Sequence, residues 1–272
     1  MWICLFPGSG FQKYEMKCLY LLSIILPVLG CGQTSLPAIS SGDKESSSRE
    51  DNPFATIEEI PLPKGFERVN TSTHSFGNYL RHLPLKKDRM VHLYNGRPKA
   101  NQDAQFAVVD VSVGNKDLQQ CADAIMRLRA EYFYSSHQWE KIAFKDNANH
   151  TYKFSGGDRI KFDAYLETVF SYCGTLSLDR TLQKRNSLNE MEIGDVLIKG
   201  GSPGHAMLVM DVAKNEEGKK IYLLAQGYMP AQDIHVVTNP LSSKIGPWYL
   251  VDNESDIITP EWTFKPTQLK HW

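Results

Sequence analysis

A cysteine, a histidine and a glutamine stand in this sequence where a hydrolytic site could be assembled from them. Cys121 lies in "DLQQCADAIMRLRAEY", at the start of a segment whose apolar spacing predicts a helix. Asp117 can cap that helix through its carboxylate, with Gln120 three residues on in capping-box position, so the first turn is expected to run from Leu118 and to contain or closely precede Cys121. Free backbone N–H groups and the positive end of the helix dipole lower the pKa of a thiol placed there, and only the thiolate is a good nucleophile. The same spacing has a second use. Leu118, Cys121, Ala122, Ile125, Leu128 and Tyr132 form a helical apolar stripe, in which a cysteine is a small packing residue. The segment alone leaves the two uses level. His205 opens the predicted strand "HAMLVMDVA" directly after the loop "GGSPG". Gln226 ends the return strand "IYLLAQGY" across a hairpin turn at "KNEEGKK". With the turn centred near Glu217, Gln226 pairs close to His205 and within reach of its imidazole. A register slip of one residue would send Gln226 to the other face of the sheet.

The remaining reactive residue types carry less. Cys173 ends a second predicted helix just before Gly174, where the negative end of the dipole raises a thiol pKa, and is expected to be structural. In an exported protein it could also pair with Cys121 in a disulfide. His235, near Asp233, is a second possible base or half of a metal site, but no His-x-x-x-His or Cys-x-x-Cys pair supports zinc, so neither metal nor cofactor is expected. Asp211 shares the His205 strand but sits too far along it to orient the ring. His137 and His150 lie in polar, loop-like surroundings, and Arg127, Arg129 and Glu131 are expected in ion pairs on the first helix.

The elements that must hold these residues alternate in type along the chain. "SFGNYLRHLPL" predicts a short helix stopped at Pro84. "MVHLY" and "QFAVVDVSV" predict strands separated by the turn "NGRPKANQD". Val109, Val111 and Val113 alternate with Asp110 and Ser112, as in a strand with one buried face. In "KFDAYLETVFSYCGTLSLDRTL", Phe162, Tyr165, Leu166, Val169 and Phe170 mark the core side of a helix. "EIGDVLI" then predicts a strand entered by a Gly-Asp turn, ahead of the His205 hairpin.

The N-terminal part of the chain reads differently. Residues 1–15 are taken as a start placed too early. From Met16, "MKCLYLLSIILPVLGCGQTS" has a short positive region, an apolar run from Leu19 to Leu29 too short to span a bilayer, and small residues before Cys31. This pattern resembles a bacterial lipoprotein signal over residues 16–30, which implies lipidation of Cys31 and cleavage before it. Residues 31–59 are Ser-rich, charged and poor in large apolar side chains, a flexible tether by composition. Residues 60–272 are expected to form a single domain. The 30 basic residues stand against 31 acidic ones, for a net charge of -1, with no dense Lys/Arg stripe, which excludes nucleic acid as a partner.

In order along the chain come a cysteine at a helix start, a Gly-Asp strand, a histidine at the head of the next strand and a polar side chain on the strand after. That order resembles the papain-like fold of the NlpC-type cell-wall peptidases and amidases. The resemblance implies an α+β fold in which a Cys-bearing helix packs on an antiparallel sheet. It gives Cys121 the role of nucleophile, His205 that of base and Gln226 that of orienting group, with backbone N–H groups at the helix start as an oxyanion hole. "QCADA" departs from the Asp-Cys-Ser or Asn-Cys dipeptides common at that nucleophile. A closer resemblance covers nearly all of the domain. "SFGNYLRHLPL", "DLQQCADAIMRLRAEY", "FSYCGTLSL", "GDVLIKGGSPGHAMLVMDVA" and "AQGYMPAQDIH" are together similar to an uncharacterised family of bacterial lipoproteins carrying a domain of unknown function. These features raise two expectations. One is a monomeric, lipid-anchored hydrolase in the bacterial cell envelope, facing the periplasm or exterior and cleaving an amide bond in cell-wall peptide. The other is a non-catalytic lipoprotein binding peptide or glycan in the same cleft, lined by "AQGYMPAQ" and the aromatic "GPWYL" around Trp248.

Overall fold

The computed structural model describes residues 51–272; the leader, Cys31 and the first part of the tether lie outside the described residues. Four α-helices are described: α1 (Phe76–Arg81), α2 (Cys121–Ser135), α3 (Arg159–Tyr172) and α4 (Thr175–Thr181). The strands are β1 (Phe66–Arg68), β2 (Gln105–Val108), β3 (Ala143–Lys145), β4 (Thr151–Lys153), β5 (Gln183–Lys184), β6 (Val196–Lys199), β7 (His205–Asn215), β8 (Lys220–Gln226), β9 (His235–Val237), β10 (Tyr249–Leu250), β11 (Ile257–Ile258), β12 (Thr263–Phe264) and β13 (Leu269–His271). Nine of them form one antiparallel sheet in the order β2-β9-β8-β7-β6-β13-β5, with β1 added to β7 and β10 to β8. The chain is thus α+β.

The sheet centres on the β7–β8 hairpin, and both of its faces are covered. Ala206, Leu208 and Met210 join the core beneath the helices, with Ile125 and Leu128 of α2 and Phe162, Leu166 and Val169 of α3. Met207, Val209, Tyr222 and Leu224 join a second core closed by Tyr249, Ile257 and Phe264. Burial on both faces explains why "HAMLVMDVA" is almost continuously apolar instead of alternating. Tyr165 and Phe170 pack at the edge of the first core, as the α3 stripe requires.

Local chemistry moves three boundaries. Helix α2 begins at Cys121, not Leu118, because Gln120 is the capping residue and its N–H donates to Asp123 Oδ2 at 3.0 Å. Asp117 instead accepts from the Ala231 N–H at 2.7 Å, tying the segment before the helix to the loop before β9. "MVHLY" forms no strand: the chain reverses at Gly96, whose φ of +78° suits glycine, so this stretch pairs only through single bridges such as Leu93 with Gln232. The end of the compositional tether is packed: Ile57 is fully buried, and Asn52 donates from Nδ2 to the Lys86 carbonyl at 3.0 Å. Averaged over a polar stretch, composition hides the apolar cluster of Phe54, Ile57 and Ile60.

Candidate functional site

A cleft of about 510 Å³ opens where the start of α2, the start of β7 and the loops at 200–204 and 227–230 meet. Cys121 and His205 both line it, with Tyr228 and Trp262 among its walls. Two glycines permit this convergence. A Cβ at Gly227 would stand 2.9 Å from the Gln120 carbonyl oxygen and 3.0 Å from Ala124 Cβ, so only glycine lets α2 settle on the end of β8. A Cβ at Gly204 would run into the Gly201 carbonyl oxygen and come within 2.7 Å of Thr175 Oγ1, so the loop before His205 can close only around a bare backbone.

Cys121 is the first helical residue, and the amides of Ala122, of Ala206 on β7 and of Cys121 itself hydrogen-bond its sulfur. These contacts lower the thiol pKa, as a helix start should. They are outweighed. Burial, reinforced by the nearby Asp123 carboxylate, pushes the thiol up to about 11. With only 7% of the residue exposed, the cost of desolvating a thiolate exceeds what the helix start supplies. Burial also pushes the Asp123 carboxyl up to about 8, against the Gln120 amide that holds its Oδ2.

His205 is buried, its ring 4.9 Å from that of Tyr228 and 5.3 Å from that of Trp262. Burial drives its pKa down to about 4; the hydrogen bond with Gln226 and the charge of Glu261 work the other way, and Lys99 adds to the depression. The imidazole is neutral at ordinary pH. Its Nε2 lies 2.8 Å from Gln226 Oε1. Since an amide oxygen can only accept, Nε2 carries the hydrogen and Nδ1 the lone pair.

A bulge decides that contact. Near the turn, Ala213 pairs with Ile221 and Val212 with Tyr222; continued unbroken, that register would set Gln226 opposite Leu208, on the face away from His205. Between Val209 and Asp211 the register shifts, so that Leu208 meets Ala225 and Gln226 falls on the face of Met207 and His205.

Beyond Gln226 the site continues into residues that no local pattern marks. Gln226 Nε2 donates to Glu261 Oε2 at 2.8 Å and lies 3.2 Å from His235 Nε2. Glu261 is paired with Lys99, Nζ to Oε2 2.5 Å, and also accepts from Asn101 Nδ2 at 3.3 Å. Lys99 sits in the turn segment "GRPKAN" and Glu261 in "TPEW". Neither spacing nor periodicity singles them out; only the tertiary fold brings them to Gln226.

Residues 57–161 and 146–271 match the family described as DUF4846, a domain of unknown function. The chain belongs to this family. No curated protein and no solved structure matches it significantly. In this DUF4846 domain the other sequence candidates are engaged by partners of their own. Asp211 is fully buried, its oxygens accepting from Arg68 Nε and Arg81 Nε, each at 2.7 Å. His235 is fully buried and pushed down to about 3 by burial, with Nδ1 2.9 Å from the Asp233 carbonyl oxygen. Trp248, expected along the cleft, is fully buried in the helix-side core and donates from Nε1 to the Pro61 carbonyl at 2.8 Å. Of "AQGYMPAQ", Tyr228 and Met229 do reach the cleft. Cys121 and Cys173 are both free thiols on the cleft wall, and burial pushes Cys173 up to about 12. Among the described residues no group of three or more His, Cys, Asp or Glu is placed to hold a metal ion.

Proposed function

We propose that this DUF4846 protein is a lipid-tethered cysteine hydrolase of the bacterial cell envelope, papain-like in its site, that cleaves an amide bond in cell-wall peptide. The observation carrying this reading is the 2.8 Å contact between His205 Nε2 and Gln226 Oε1 beside a cleft shared with the helix-start thiol of Cys121. With Nε2 protonated, Nδ1 is the nitrogen able to take the Cys121 proton. Both groups rest neutral, so the proton passes to Nδ1 as the sulfur attacks the carbonyl carbon. His205 returns that proton to the departing amine nitrogen as the C–N bond breaks, leaving an acyl thioester on Cys121. Water, losing a proton to His205, then releases the acid and restores the thiol. The described residues lining the cleft include Asp117 but no Lys or Arg, which suits a neutral or cationic stretch of peptide.

A second reading is favoured by the raised Cys121 pKa and by the aromatic walls at Tyr228 and Trp262: the cleft binds peptide or glycan without cleaving it. Acid-quenched mass spectrometry of the full chain incubated with cell-wall peptides separates the two. Hydrolysis predicts an acyl adduct on Cys121, absent from Cys121→Ala, and loss of turnover in His205→Ala. Peptide that binds and is returned intact by every variant leaves the binding reading standing.

A further inference from the structure

The amide of Gln226 has two chemically different ends, and the identity of the end facing His205 sets the tautomer of that ring. If Oε1 faces it, His205 Nε2 carries a hydrogen and Nδ1 keeps its lone pair. If the amide turns over, its NH2 faces Nε2, the hydrogen moves to Nδ1, and the ring can no longer take a proton from that side. Nothing in the hairpin itself chooses between these states, because the two ends of an amide have nearly the same shape. The choice is made behind Gln226.

Two acceptors stand there. Glu261 Oε2 is 2.8 Å from Gln226 Nε2, and a carboxylate ion-paired with Lys99 offers no hydrogen to donate. His235 Nε2 is 3.2 Å from the same nitrogen, and it too is an acceptor, because the His235 Nδ1–H is used on the Asp233 carbonyl oxygen at 2.9 Å. Each hydrogen of the NH2 group therefore has one taker. A flipped amide would press its oxygen against both of them in a region where Gln226 and His235 are almost completely buried. Lys99 holds the carboxylate in place: its side chain is 7% exposed and that of Glu261 13%.

We infer that Glu261, held by Lys99, is a positioning residue that fixes the Gln226 amide and through it the proton-accepting tautomer of His205. The inference rests on the hydrolase reading for its catalytic consequence, but its physical content, a tautomer, can be read without turnover.

The test is nitrogen NMR of the full chain labelled with ¹⁵N-histidine, with His205 assigned by its loss in His205→Gln. Wild type is expected to hold the His205 hydrogen on Nε2 alone. Glu261→Gln should keep that state, since its amide oxygen still accepts. Glu261→Met should populate the Nδ1–H tautomer. The reversed pair Lys99→Glu with Glu261→Lys keeps the charges matched but presents a donor to Gln226, and should shift the hydrogen to Nδ1; it decides the matter if Glu261→Met does not fold. In kinetics, Glu261→Met should lower kcat by about 100-fold, the scale of a lost general base, with KM changed far less. The inference is overturned if wild type carries the hydrogen on Nδ1, or if the variants that fold among Glu261→Met and the reversed pair retain a pure Nε2–H tautomer. A protein that cleaves nothing yet shows the expected tautomers refutes the hydrolase reading alone. One that cleaves peptide while its His205 tautomer ignores position 261 refutes this inference alone.

Discussion

Cys121 should be a slow thiol at neutral pH despite its place at a helix start. Its pKa lies near 11 instead of the ordinary 9.0, and each unit is a tenfold change in thiolate fraction, so at about pH 7.5 it should react about 100-fold more slowly than an unperturbed cysteine. The perturbation to apply is Asp123→Asn. It removes the second-largest cause of the upward shift while leaving an amide oxygen to accept the Gln120 N–H, so the helix start survives. The apparent pKa should then fall, since near pH 11 an Asp123 whose own pKa is about 8 is ionised beside the thiol. It should stay above 9.0, because burial, the larger cause, remains. The assay is iodoacetamide labelling of the folded chain across pH, read by mass spectrometry of the Cys121 peptide so that Cys173 does not contribute. An apparent pKa below 9.0 in wild type would refute the reasoning: it would mean that the helix start and the three amides outweigh burial. An unchanged profile in Asp123→Asn would remove the carboxylate from the account and leave burial alone.

Two further outcomes are expected. Asp211→Ala should destabilise the domain by about 3–5 kcal/mol in urea unfolding, because Arg81, its side chain 7% exposed, is left without a counter-charge; a change under about 1 kcal/mol would show that water replaces the carboxylate there. Mass spectrometry of protein extracted from membranes should find an N-terminus at lipid-modified Cys31, and an unmodified Cys31 or another N-terminus would remove the tether from the proposal.

The sequence alone determined the elements whose signals are local. The apolar spacing from Leu118 to Tyr132 marks α2, the stripe from Phe162 to Phe170 marks α3, and the turn "KNEEGKK" between apolar runs marks the β7–β8 hairpin, because each depends on contacts a few residues apart. The candidates Cys121, His205 and Gln226 were legible for the same reason: each sits at the end of such an element. The approach of Gln226 to His205 was expected from the hairpin as well, but the register that delivers it was not. The turn register alone would have turned Gln226 away from His205, and it is the bulge between Val209 and Asp211 that brings it back. Glu261 and Lys99 are legible nowhere in the sequence, since Glu261 meets Gln226, and Lys99 meets Glu261, only after remote loops fold together. The sequence left the state of Cys121 open because a helix start is a local feature whereas desolvation is not. The sulfur is buried where α2 meets β7 and, at Gly227, settles on the end of β8, and that closure lies in the tertiary structure alone.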